Sequence, residues 1–136
     1  MKNLINRIKR LFKSYPCIKQ YDETDCGAAC LAIIAKYYDL ELPLTKLRNI
    51  AGTDKKGTNA FGLMKAARET GFETKMVKGN SEELKEEEIP SPFIAHVNRN
   101  GLLHYVVVYE LNEYEVVVAD PAEGIVEYEF DKFCEI

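Results

Sequence analysis

Two stretches far apart in the chain hold the residue types that acyl-transfer chemistry needs. The first, Gln20-Tyr21-Asp22-Glu23-Thr24-Asp25-Cys26-Gly27-Ala28-Ala29-Cys30, puts a cysteine where a helix should begin and a glutamine six residues before it. A thiol in the first turn of a helix meets unpaired amide N–H groups and the positive end of the helix dipole, both of which favour the thiolate. The backbone N–H of Cys26 can face a developing oxyanion, and a glutamine folded back over the helix start can offer its side-chain NH2 as a second donor. Asp22 and Asp25 stand close to the thiol, where a carboxylate raises its pKa, so they read as helix-capping or dipole-complementing residues. Gly27, Ala28 and Ala29 leave room for substrate or for a closely packed neighbour.

A thiolate also needs a base and an orienter for that base. The chain has two histidines, His96 and His104, and the second opens the run His104-Tyr105-Val106-Val107-Val108-Tyr109, which reads as a buried strand. A second strand, Glu115-Val116-Val117-Val118-Ala119, follows a short turn and ends in Asp120-Pro121. In an antiparallel hairpin the first residue of one strand lies near the last residue of the next, so His104 and Asp120 are expected at one end of the sheet. The expectation is Cys26 as nucleophile, His104 as general base and then acid, Asp120 accepting from the other ring nitrogen, and Gln20 on the oxyanion. Read alone, Asp120 would simply start a turn before Pro121.

The elements that must position these groups divide the chain in two. Thr24 is a good N-cap, and Leu31, Ile33, Ile34, Tyr37 and Tyr38 fall at helical spacing, which predicts a helix from Thr24 to about Asp39. Two more helices are expected from Leu44 to Ala51, stopped by Gly52, and from Asn59 or Ala60 to Thr70, stopped by Gly71. The second half reads as strands over Phe72 to Lys78, Pro92 to Asn98, Leu103 to Glu110, Tyr114 to Ala119 and Ile125 to Phe130, with a short acidic helix from Ser81 to about Glu87. Helices first and an antiparallel sheet afterwards is an α+β layout, with the nucleophile helix laid against the sheet edge that carries His104 and Asp120.

The order Gln, Cys, His, Asp is that of papain-like cysteine proteases. Gln20, Asp25-Cys26-Gly27 with Cys30, then His104-Tyr105-Val106-Val107, then Ala119-Asp120-Pro121, resemble more narrowly the peptidase domain of bacteriocin-exporting ABC transporters, peptidase family C39. The resemblance runs from about Tyr15 to Cys134 and takes in the segment from Gly57 to Leu63 and the closing Asp131 and Phe133. It implies a papain-like fold with Cys26, His104 and Asp120 as the triad and Gln20 as oxyanion donor. It also implies cleavage of bacteriocin- or lanthipeptide-type precursors after a Gly-Gly or Gly-Ala pair that ends the leader, coupled to export. The implied partners are the precursor, whose leader docks as an amphipathic helix in an apolar groove, and the transmembrane and nucleotide-binding domains of an ABC transporter. The implied location is the cytoplasmic side of the membrane. No cofactor is expected for the peptidase, and ATP belongs to the transporter part, which this chain does not include. The competing function is a leader-binding module without hydrolysis, which the presence of Cys26, His104 and Asp120 disfavours; a papain-like fold doing transfer is a third.

His96 competes with His104 for the catalytic role. If Asn100-Gly101 forms a two-residue type I′ turn, His96 pairs with Tyr105 and points away from the His104 face; a three-residue loop would pair the two histidines. The spacing to Asp120 and the family motif favour His104. Thr58, Asn59, Ala60 and Phe61 are expected near the cleft as substrate-binding residues.

Composition bounds the rest. At 136 residues and 46% hydrophobic the chain is one core-forming unit; a basic amphipathic lead-in over residues 1–14 precedes the domain over 15–136, which the resemblance implies is the cysteine peptidase. A net charge of −4, without a basic tract interleaved with aromatics, argues against a nucleic-acid binder. Residues 1–16 carry Lys2, Arg7, Lys9, Arg10 and Lys13 with no acid, and Leu4, Ile5, Ile8, Leu11 and Phe12 fall on one helical face between them. Such a segment either lies on an anionic membrane surface or packs its apolar side on the domain. It lacks the uninterrupted apolar core of a signal peptide. Cys17, Cys26, Cys30 and Cys134 read as reduced thiols; no second pair completes a zinc site, and Cys17, Cys30 and Cys134 read as small core residues.

Overall fold

The computed structural model describes residues 15–20, 23–54, 57–76, 89–99 and 101–134. The basic lead-in over 1–14 and the acidic helix expected over 81–87 lie outside them. A single 3₁₀ turn, Glu23–Asp25, leads into helix α1 (Cys26–Tyr37), followed by α2 (Leu44–Ala51) and α3 (Ala60–Glu69). Strands β1 (Phe93–Arg99), β2 (Leu102–Leu111), β3 (Glu115–Asp120) and β4 (Gly124–Glu129) form an antiparallel sheet in sequential order, and a short helix α4 (Phe130–Cys134) follows.

Helix α1 is built almost entirely of alanine, cysteine and branched aliphatics, and Cys26 to Ile33 together with Ala35 are buried. A helix apolar on nearly every side belongs inside, and α1 lies between β2 on one side and α2 and α3 on the other. Helix α2 ends where Gly52 adopts φ +70° and donates its N–H to Asn49 O, a left-handed stop that a residue with a Cβ rarely takes. Helix α3 begins with Asn59, whose side-chain oxygen accepts from Gly62 N at 2.7 Å. A Cβ on Gly62 would collide with Ala51 O, so α3 meets the end of α2 at a distance only glycine allows.

The sheet is covered on both faces. Ile94, Tyr105, Val107, Tyr109 and Ala119 pack with the helices, while Val97, Val106, Val108, Val116 and Val118 face Phe130 and Phe133 of α4. Strands buried on both faces read as continuous apolar runs, which is why Val106-Val107-Val108 and Val116-Val117-Val118 show no alternation. Each of these valines contributes roughly 1.5–3 kcal/mol by leaving water.

Four details differ from the sequence-based expectation. Thr24 does not cap α1: the cap position is Asp25, in helical conformation and without a side-chain capping bond, because the 3₁₀ turn runs directly into the helix. The segment 72–76 is not a strand. Phe72 N closes on Ala67 O and Thr74 Oγ1 accepts from Arg68 Nε at 2.8 Å, so it folds back along α3 instead of joining the sheet. His104 and Asp120 lie on the two central strands, at the sheet's end and not on its edge. Helix α4 follows β4 without a break and closes the far face.

Candidate active site

Cys26 is the first residue of α1, directly after the 3₁₀ turn, so its side chain stands at the positive end of the helix. The residue is almost fully buried, which by itself raises the thiol pKa. A hydrogen bond with the His104 side chain, backbone bonds at Tyr105 and Gly27, and the charge of His104 outweigh that burial, and the pKa falls below its ordinary 9.0. Of these groups, Gly27 belongs to the helix start, while His104 and Tyr105 are brought by the sheet.

The register of the sheet decides how it comes. Val107 pairs with Ala119 and Val108 with Val118, but Glu110 pairs with Val117, so one extra residue, Tyr109, sits in β2. Side chains alternate along a strand, and Val107 and Ala119 share the helix-facing side. Asp120, one residue on, therefore shares the opposite side with Val106 and His104. Without the bulge, Asp120 would oppose Val107 and face away from His104, since a one-residue slip exchanges the two faces. With it, His104 Nε2 lies 2.7 Å from Asp120 Oδ1, which also accepts from Ala122 N at 2.8 Å. The Asp120 bond, then the Cys26 bond, raise the His104 pKa from 6.5 to about 9 against the opposing pull of burial. Nε2 is committed to Asp120, which leaves Nδ1 for the thiol. The thiol becomes more acidic than usual and the imidazole more basic, and both shifts favour proton transfer from Cys26 to His104.

The bulged Tyr109 also fixes the segment over residues 15–20. Its hydroxyl donates to Pro16 O at 2.6 Å, its ring stacks on Tyr15 with centroids 4.4 Å apart, and Tyr15 donates to Glu110 Oε2 at 2.8 Å. Further along, Cys17 Sγ lies 3.6 Å from Asp120 O and Gln20 N donates to Pro121 O at 2.9 Å. Gln20 is thereby held beside the residue that follows Asp120. Its side-chain oxygen is buried and takes no hydrogen bond among the described residues.

Other expected residues take different places. Asp25, one residue before the thiol, is fully buried, and its Oδ1 lies 2.6 Å from Arg48 Nε of α2. The guanidinium neutralises a carboxylate that would otherwise oppose the thiolate; Arg48 carried no motif to mark it, since its partner is distant in sequence. Asp22 lies outside the described residues. His96 pairs with Tyr105 across the two-residue turn and stacks on its ring at 4.1 Å, away from the His104 face. Burial, then the charge of His104, lower its pKa.

Gly27 gives room to a neighbour and not to substrate. A Cβ there would meet Thr58 Cβ at 3.2 Å and Tyr105 Cδ2 at 3.3 Å, and Ala28 and Ala29 are buried in the core. Of the segment Thr58 to Phe61, Thr58 is buried against Gly27 with its hydroxyl on that of Thr53, Asn59 caps α3, Ala60 is half-buried, and Phe61 is 78% exposed. Thr58 is thus packed beside the nucleophile, while the side chain of Asn59 is spent on its helix. Cys30 is fully buried, which pushes its pKa well up; Cys17 and Cys134 are only half-buried. Among the described residues no group of three His, Cys, Asp or Glu side chains is placed to hold a metal ion.

A thiol at a helix start joined to a histidine and a carboxylate on adjacent strands of an α+β scaffold defines a papain-like cysteine peptidase. The chain belongs to the peptidase C39 family, whose model matches residues 14–136. It is 42% identical over 117 residues to the lactococcin-G-processing and transport ATP-binding protein LagD of Lactococcus lactis subsp. lactis, covering 85% of this chain and 17% of that protein. It is 41% identical over 107 residues to the transport/processing ATP-binding protein ComA of Streptococcus pneumoniae, covering 78% of this chain and 15% of ComA. The chain therefore spans about a sixth of the length of these curated relatives. Among solved structures, the peptidase domain of Streptococcus ComA superposes with a TM-score of 0.81 at 32% identity, covering 90% of this chain and 91% of that one. A double glycine motif protease from an AMS/PCAT transporter, in complex with the leader peptide, superposes with a TM-score of 0.80 at 35% identity, covering 90% and 84%.

Proposed function

We propose that this chain is the peptidase domain of a peptide-exporting ABC transporter and cuts bacteriocin- or lanthipeptide-type precursors after the Gly-Gly or Gly-Ala pair that ends the leader. The observation that carries the proposal is the hydrogen-bonded series from Cys26 through His104 to Asp120 at the start of α1. The Cys26 thiolate attacks the carbonyl carbon of the last leader residue, and the electron pair moves onto the carbonyl oxygen. The amide of Cys26 and the side-chain NH2 of Gln20 are assigned to that oxyanion. As the intermediate collapses, the His104 imidazolium gives its proton to the leaving amine and the C–N bond breaks, leaving the leader as a thioester on Cys26. His104 then takes a proton from water, whose oxygen displaces the thiolate and releases the leader as a carboxylic acid. Asp120 keeps the imidazole oriented and stabilises its charged form.

All of these groups are side chains or backbone, so the proposed peptidase chemistry calls on no cofactor. The relatives' names join processing to transport and ATP binding, which supports transmembrane and nucleotide-binding domains as partners; the cytoplasmic face of the membrane, where ATP is available, is the proposed site of action. Among the described residues no helix is long and apolar enough to cross a membrane. Thr58, packed against Gly27, is assigned to the wall of the substrate cleft, with Phe61 as an exposed contact for the leader.

The test is mass spectrometry of a synthetic leader ending in Gly-Gly with a short cargo, incubated with the protein and with its Cys26→Ala variant. Cleavage after the second glycine is expected for the parent, with a loss of at least about 10⁴-fold in the variant. Binding without cleavage by the parent would replace the peptidase with a leader-docking module.

A further inference from the structure

A peptidase's general acid faces the nitrogen that leaves, so the surface beside His104 and away from Cys26 is where the released peptide must pass. Most of the neighbours of His104 in the sheet are closed to it. Its cross-strand partner Val97, the adjacent Tyr105, the next residue on its own face, Val106, and its partner Asp120 are all buried. Two neighbours toward the hairpin end remain, Leu102 and Leu103, and they are 72% and 66% exposed. Leu102 shares the face of His104 at about 7 Å along the strand, and Leu103 stands on the other face beside Tyr105.

Among the described residues nothing covers these leucines. They sit opposite Arg99 and Asn98, next to a two-residue turn. That turn is held in place by the positive φ of Gly101, +87°, and by the bond from Gly101 N to Asn98 Oδ1 at 2.9 Å. Their apolar surface is therefore presented by a paired strand and is continuous with the residue that protonates the leaving group.

We propose that Leu102 and Leu103 form the cargo-side subsite, an apolar end of the hairpin that receives the first residues of the released peptide and favours apolar side chains there. The proposal rests on the peptidase reading above. Its test uses two peptides with one leader ending in Gly-Gly, followed either by Ile-Leu or by Asp-Ser, and the Leu102→Thr/Leu103→Thr double variant, in which threonine keeps the strand propensity. The parent is expected to cleave the apolar cargo about tenfold faster in kcat/KM, the scale set by burying one or two aliphatic side chains. In the double variant the two peptides converge, because the apolar one is cut more slowly. The rate at which iodoacetamide alkylates Cys26 at neutral pH, which reads the Cys26–His104 pair directly, should not change. Equal cleavage of both peptides by the parent, or a double variant that slows both by the same factor, would overturn the subsite while leaving the peptidase intact. Failure of the parent to cleave either peptide would overturn the peptidase reading and the subsite with it.

Discussion

The helical half of the molecule carries Cys26 on a helix packed through glycine and alanine, whereas the sheet half carries His104 and Asp120 on strands packed through valine. In the first half position is fixed by close approach: Gly27 against Thr58 and Tyr105, and Gly62 against the carbonyl of Ala51. In the second it is fixed by register, because the faces of β2 and β3 alternate and the bulge at Tyr109 decides which of them Asp120 joins. Steric exclusion and register fail in different ways. A group too large in the helical half costs stability, while a change in the sheet half's polar pair costs chemistry.

Asp120→Asn gives the sharpest contrast. It keeps an acceptor of similar size but removes the charge that holds His104 protonated, and kcat/KM should fall about 100- to 1,000-fold. The pH profile gives the sign. In the parent, activity is expected to rise as Cys26 ionises below its ordinary 9.0 and to fall as His104 loses its proton near pH 9. Without the Asp120 bond, the largest cause of the upward shift, the alkaline limb should move toward 6.5. An alkaline limb that stays in place would show that Asp120 does not govern the imidazole.

Gly62→Ala tests the other half. Its Cβ would have to displace the end of α2, at a cost of about 3 kcal/mol in chemical denaturation, while kcat/KM per folded molecule stays near that of the parent. Unchanged stability with reduced kcat/KM would mean that the helical half also sets the site by fine positioning. His96→Ala should have the smallest effect, under about twofold in kcat/KM with no movement of the alkaline limb. It removes a ring stacked on Tyr105 away from the His104 face. A loss larger than tenfold would return His96 to the site.

Much of this arrangement was legible in the chain. The stop of α2 at Gly52 and the start of α3 after Asn59 follow from local rules, since a left-handed glycine and a capping amide act within one turn. That His104 and Asp120 come to one end of the sheet follows from the lengths of β2 and β3 and the short turn between them. The start of α1 was less legible: Asp25 has the chemistry of a cap, but Arg48 takes its carboxylate, and nothing local announces a partner on another helix. The segment over residues 72–76 alternates like a strand yet bonds back to α3, so the competing partner was again a tertiary one.

The sequence by itself determined which residues could do the chemistry and which elements would carry them, because residue type, capping and hydrophobic runs act over a few neighbouring positions. The tertiary structure decided that His104 reaches Cys26 and lowers its pKa, and that Asp120 meets His104. Burial in the helix opposes the thiolate until His104 and the Tyr105 backbone reach it. Asp120 shares the face of His104 through the extra residue at Tyr109, whose partners at Tyr15 and Pro16 lie at the other end of the chain.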